Sequence, residues 1–443
     1  MSQHERVPRD HLMHSTGTTP YEIVAVILPS LFYTTITSII VSLLQTKTKS
    51  LPLQFSIEFL TLVLPIILNV TVLSDYTVEL LSTFFIITLS LILWLRSSNP
   101  LYEKPPKAPQ NRDYLTNSRS TINVISVVAI LAVDFLIFPR RFAKTKSYGY
   151  SLMDVGVGLF IFSNGIVDTG QTDLGKALKG SVPLLVLGVG RFFVTKLIGY
   201  HVPVTEYGVH WNFFISLAVI KIVVSLIFGV VKVKYIFINA TMLLISHESL
   251  LQSGLKNFVM GSHKRSNFLT ANREGIISCL GYASLYMFST NFSYFVGLKK
   301  GPEGVKKTII KFVFLTTLML FLSQICEKYC GISRKLANMA YCFWVLFIGI
   351  FMTGLYYIFG KILEDTFRNK LHVNLQLPFI LQAINYNGLV FFLISNLLTG
   401  LVNVLCDTLN VSSVISLVII SVYMLINCAI VCFLFKKQIK LKL

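Results

Sequence analysis

The chain has 443 residues, 54% hydrophobic and only 13% charged, with a mean hydropathy of +0.69 and a formal net charge of +19 at pH 7. A soluble domain carries about 25% charged residues, so the two or three soluble domains that length alone suggests are excluded. The Lys and Arg residues are scattered between apolar runs rather than gathered on one face, which argues against nucleic acid as a partner and for anionic lipid head groups.

Residues 1–19 are polar and lack an apolar stretch, so no cleavable signal peptide is expected and the first span directs insertion. A spanning helix needs about 20 mostly apolar residues. Thirteen segments qualify in chain order: 20–45, 51–73, 76–95, 120–138, 150–167, 181–199, 209–230, 233–250, 274–298, 307–326, 338–360, 379–405 and 411–435. The reading is an all-α, polytopic integral membrane protein with a single transmembrane domain over 1–443. The fifth span is short, and the eighth ends in Ser246-His247-Glu248. The loop 96–119, with Pro100, Pro105, Pro106 and Pro109, reads as an exposed linker on the inner side. With thirteen spans, the larger share of the 39 Lys and Arg falls on the side of the C-terminal tail, which predicts the N-terminus outside and the C-terminus inside. The seven cysteines, at 279, 326, 330, 342, 406, 428 and 432, contain no CxxC and read as small buried hydrophobes, without a disulfide framework or a metal site.

Ionisable groups within spans are costly, about 2.5–3.5 kcal/mol each at a helix centre. Here they thicken between 134 and 221, at Asp134, Asp154, Arg191, Lys196, His210 and Lys221. Asp134 is expected about one turn inside the end of the fourth span. Pro139 then ends the helix or turns the chain, and Arg140, Arg141, Lys144 and Lys146 follow within seven residues. This basic cluster stands on the side where the charge rule wants few cations. It calls for a phosphate-bearing partner, or else forms a snorkelling interfacial ring with an Asp–Lys pair. Downstream, Asp154, Gly156, Gly158 and Asn164 share one helix. Its small residues admit either a lipid chain or a neighbouring helix. Arg191, beside Gly188 and Gly190, needs a counter-charge, for which Asp134 and Asp154 are candidates. His210, Trp211 and Asn212 open the seventh span, where His210 reads as a base or as a partner of the backbone within an aromatic belt. Glu274 heads the ninth span, where the helix dipole alone favours it.

Four stretches together, SYGYSLMDVGVGLFIFSNGIV (147–167), FPRRFAK (138–144), TEYGVHWNFF (205–214) and NREGIISCLGYASLY (272–286), resemble the GPI-anchor inositol acyltransferases. The likeness is specific over about 120–290, looser elsewhere, and the chain looks fungal. The resemblance implies an endoplasmic reticulum membrane enzyme that moves a fatty acyl chain, usually palmitoyl, from acyl-CoA to the inositol ring of glucosaminyl-phosphatidylinositol. It also implies thirteen spans with a lumenal N-terminus, and an essential Asp and Lys that fall on Asp134 and Lys144. No tightly bound cofactor is expected, acyl-CoA being a co-substrate. Asp134 is then the candidate base, Lys144 the holder of a phosphate or of the oxyanion, and Arg140, Arg141 and Lys146 attract CoA or lipid phosphates. The helices of 120–230 form the catalytic part, with Gly156, Gly158, Gly188 and Gly190 making room for the acyl chain. Two other classes share the polytopic plan: a lipid or metabolite transporter, which predicts flux without acylation, and a histidine-dependent O-acyltransferase, which centres on His210.

Overall fold

The computed structural model describes residues 15–44, 50–101, 113–170, 173–197, 204–297 and 304–441. The N-terminal tail to residue 14 and loop residues 102–112, including Lys104, Lys107 and Arg112, lie outside them, as does the side chain of Lys196.

Every expected span coincides with a helix. In chain order these are α1 (Pro20–Leu44), α2 (Leu51–Val70), α3 (Ser74–Ser97) and α4 (Asp113–Ala132). Then follow α5 (Leu152–Gly165), α6 (Leu174–Leu197), α7 (Phe213–Val230), α8 (Ile236–Leu250) and α9 (Arg273–Phe295). The last four are α10 (Val305–Cys330), α11 (Met339–Lys370), α12 (Gly388–Leu405) and α13 (Ser413–Lys436). Among the described residues, nine are long and apolar enough to cross a membrane; α5, α6, α8 and α9 are not among them. The last 14 residues of apolar character before residue 166 form α5, which at about 1.5 Å per residue covers about 21 Å, short of the roughly 30 Å hydrocarbon core.

Local chemistry explains the boundaries. Pro29 cannot donate an amide, and α1 is interrupted at Leu28. Ser151 caps α5 by accepting from the Asp154 amide, and Asn212 caps α7 by accepting from the amides of Phe214 and Ile215. The expected twelfth span is broken at Asn387, between a short helix Phe379–Tyr386 and α12. The fourth differs most from expectation. Its helix starts at Asp113 and ends at Ala132, so Asp134 lies two residues beyond it rather than a turn inside.

The segments 15–18, 133–151, 204–212 and 331–338 meet at one end of the bundle as an irregular cap. Residues 15–18 strap across 143–150: the Ser15 amide donates to Lys144 O (3.0 Å) and the Thr18 amide to Tyr150 O (2.7 Å). Gly17 (φ +85°) sits so close that a Cβ there would lie 2.5 Å from Tyr150 O. From the other side, the Gly149 amide donates to Ile332 O (3.0 Å) and Ser333 Oγ to Ser147 O (2.7 Å).

Candidate functional site

Asp134 sits in the turn that follows α4. Arg140 holds this turn, its Nη1 donating to Val133 O at 2.8 Å and its Nη2 to Phe135 O. Phe138 and Phe142, both fully buried and in edge contact at 6.3 Å, anchor the loop to the core. Burial pulls the Arg140 guanidinium below its usual range, and the neighbouring Asp134 carboxylate opposes this. Asn403 of α12 donates its Nδ2 to Asp134 Oδ2 at 2.7 Å. The carboxylate is therefore fixed between the end of one helix and the side of another, and it is 6% exposed.

Ten residues on, Lys144 Nζ is gripped by Glu206, at 2.8 Å from Oε1 and 3.0 Å from Oε2. Glu206 is also 3.7 Å from Arg334 Nη2, and Arg334 Nε lies 2.7 Å from Asp154 Oδ1. The other oxygen of Asp154 accepts from the Thr145 amide (3.0 Å) and from Thr145 Oγ1 (2.6 Å). A chain of alternating charges thus runs Lys144, Glu206, Arg334, Asp154, and returns through Thr145 to the loop that carries Lys144. It satisfies the rule that buried charges are paired and hydrogen-bonded. Burial raises the Tyr207 phenol to about 12, while Arg334 pulls it down.

Next to this network, burial and the neighbouring Arg334 push the Lys335 ammonium down to about 8 from 10.5, against the pull of Glu206, Glu274 and Asp154. Between pH 8 and 10.5 the unfolded chain therefore binds more protons at this site than the folded one, so stability rises with pH there. In melts of the detergent-solubilised protein from pH 7 to 10, the wild type is expected to gain relative to Lys335→Met, by on the order of 3 kcal/mol over the whole window. A constant difference between the two would show that Lys335 is ionised normally.

Asp134, Lys144, Arg191 and Glu206 line one end of a cavity of about 820 Å³. This falls within the range of small-molecule sites. Its walls are otherwise largely apolar and come from α4, α5, α6, α7 and α12. Exposed side chains line the side between α6 and α12, among them Val186, Leu397 and Leu401. The cavity is thus open sideways, toward where lipid would lie.

The structure brings Asp134, Lys144, Gly156, Gly190 and Arg191 to this cavity and leaves the other expected residues outside its lining. Arg141 is taken by Glu22 (2.7 Å) and Asp75 (2.6 Å), so the basic cluster finds much of its counter-charge within the protein. The Lys146 side chain is exposed. Asp154 is paired with Arg334 and not with Arg191. Gly156 and Gly190 face the cavity, and a Cβ on Gly156 would meet only Ser126 Oγ, at 3.4 Å. Gly158 serves helix packing instead: a Cβ there would lie 2.6 Å from Val345 of α11, and its amide donates to the Tyr341 hydroxyl. Gly188 likewise packs on Ile215 and offers its carbonyl to Asn212. Asn164 bonds the Phe160 carbonyl of its own helix. His210 is exposed, packs between Phe192 and Phe268, and donates its backbone amide to Asn272 Oδ1; Trp211 donates to Ser216 Oγ.

Glu206, Arg334 and Asn403 were not singled out from the sequence. Glu206 lies inside a stretch read for its aromatic residues, and it meets Lys144 only across 62 residues. Arg334 and Asn403 meet their partners across 180 and 269 residues, and no local pattern records such pairings.

The family model GWT1 matches residues 5–434. The mouse glucosaminyl-phosphatidylinositol-acyltransferase PIGW is 31% identical, over 85% of this chain and 86% of its own. The GPI-anchored wall transfer protein 1 of Yarrowia lipolytica is 35% identical, over 76% and 75%. That of Saccharomyces cerevisiae is 33% identical, over 79% of each. With a family model spanning nearly the whole chain and relatives above 30% identity over most of it, the chain belongs to the GWT1 family.

Proposed function

We propose that this protein transfers a fatty acyl chain, usually palmitoyl, from acyl-CoA to an inositol hydroxyl of glucosaminyl-phosphatidylinositol, in the endoplasmic reticulum membrane. One observation carries the reading: a carboxylate and an ammonium stand at the same end of an apolar cavity that is open toward the bilayer. The names of the relatives support the acceptor lipid and acyl transfer.

A thioester is already activated, so the chain needs only to position, deprotonate and stabilise. Asp134 takes the proton of the inositol hydroxyl as its oxygen bonds the acyl carbon. The C–S bond breaks, and the proton passes to the departing CoA thiolate. Lys144, steadied by Glu206, faces the negative charge that develops on the acyl oxygen or the lipid phosphate. Arg191 and the exposed Lys146 are placed to meet phosphates, whereas Arg140 and Arg141 chiefly hold the loop. The acceptor lipid enters sideways between α6 and α12. The reading includes thirteen spans, the cap in the lumen and the C-terminus in the cytosol, supported by a helix at each expected segment and by the charge bias.

The test mixes purified protein, labelled palmitoyl-CoA and glucosaminyl-phosphatidylinositol, and analyses the lipid product. Acylated lipid is expected from the wild type. Lys144→Ala, which leaves Glu206 with Arg334, is expected to lose at least about a hundredfold, the usual loss for one oxyanion donor. Undiminished transfer by that variant removes Lys144 from the mechanism, and no product from the wild type removes the activity.

A further inference from the structure

We infer that Phe392, ringed by Phe160, Phe213 and Phe214 at the end of the cavity far from Asp134, sets the length of acyl chain the protein accepts. The inference rests on the acyl-transfer reading above.

All four rings line the cavity. Phe392 touches each of the others, with centroids 5.7 Å from Phe160, 5.5 Å from Phe213 and 5.8 Å from Phe214, and Phe160 lies 5.4 Å from Phe213. They come from three helices, so the group closes the space between α5, α7 and α12. Farther from the cap the closure continues, as Leu184, Ala218 and Leu389 pack around Phe214 and Phe392.

The depth of the cavity follows from two helices independently. Asn403 holds Asp134, and Phe392 lies eleven residues before it on α12, about 16 Å along the axis. On α4, Ile122 lies ten residues before the helix end at Ala132, about 15 Å. An extended chain advances about 1.2 Å per bond, since three backbone bonds of an extended polypeptide cover roughly 3.5 Å. The space from carboxylate to aromatic floor therefore takes about thirteen bonds straight, or a few more with a bend, which is the size of a myristoyl to palmitoyl chain.

A floor is needed for selectivity because burial alone cannot reject a longer chain: each further methylene that enters an apolar cavity is favourable by about 0.8 kcal/mol. Discrimination has to be steric: a chain that strikes the floor holds its thioester away from Asp134 and Lys144.

The test is competition among myristoyl-, palmitoyl-, stearoyl- and arachidoyl-CoA. It is read both as transfer to glucosaminyl-phosphatidylinositol and as displacement of labelled palmitoyl-CoA from the purified protein. Phe392→Ala is expected to raise arachidoyl relative to palmitoyl on the order of tenfold in both readouts. Ser126→Leu, about 9 Å along α4 from its end, fills the cavity partway and is expected to move the preference toward myristoyl. It also keeps the inference testable if Phe392→Ala does not fold. An unchanged length profile in the folded variants overturns the aromatic floor. A length-dependent displacement without any transfer by the wild type overturns the acyl-transfer reading and leaves the floor standing.

Discussion

Asp134→Asn is expected to lower acyl transfer by about a hundred- to ten-thousandfold while the protein still folds and still binds acyl-CoA. The size is that of removing a general base. The substitution keeps the shape and an oxygen to accept from Asn403, so the turn after α4, held by Arg140 through two carbonyls, has no reason to reopen. Measuring kcat together with the thermal midpoint separates chemistry from folding. Transfer within a few-fold of the wild type would leave Asp134 as a helix-end anchor.

Arg334→Met is expected to have the largest effect on stability, about 3–5 kcal/mol, the cost of leaving buried charges unpaired. The Arg334 side chain is 2% exposed and that of Asp154 4%. Losing the guanidinium leaves Asp154 without its salt bridge and removes one cation from Glu206. The consequence extends to the loop, because Asp154 is also what Thr145 binds. Residues 144–150 should become accessible to protease before the helices melt. The double variant Asp154→Leu with Arg334→Met should recover part of the loss, since an apolar pair no longer leaves a charge without its partner. A midpoint unchanged in the single variant would show that the network is not a source of stability.

Most of the helices were legible because a bilayer demands a run of apolar residues long enough to cross, a demand that nine of those described meet and α5, α6, α8 and α9 do not. Their interruptions were less so. The break at Leu28 had Pro29 as a marker, whereas the break at Asn387 depends on packing and on the C-terminal strand of chain that Asn387 binds at Ile439 and Leu441. Of the site, the sequence showed Asp134 and Lys144 as a carboxylate and a cation at a membrane boundary. It did not show what steadies them. Glu206, Arg334 and Asn403 owe their roles to geometry between distant segments. Gly158 illustrates the converse: next to Gly156 it reads as another clearing for a lipid chain, yet one residue pair along a helix turns it to the opposite face, against Tyr341 and Val345.

The hydrogen bond from Asn403 to Asp134 sets an order of events during synthesis. Asp134 leaves the ribosome long before Asn403, and every helix up to α12 has to be made before the two can meet. Nascent chains that stop short of α12 should therefore be inert even with α4 to α7 complete, and should expose a buried acid to the surveillance machinery of the membrane.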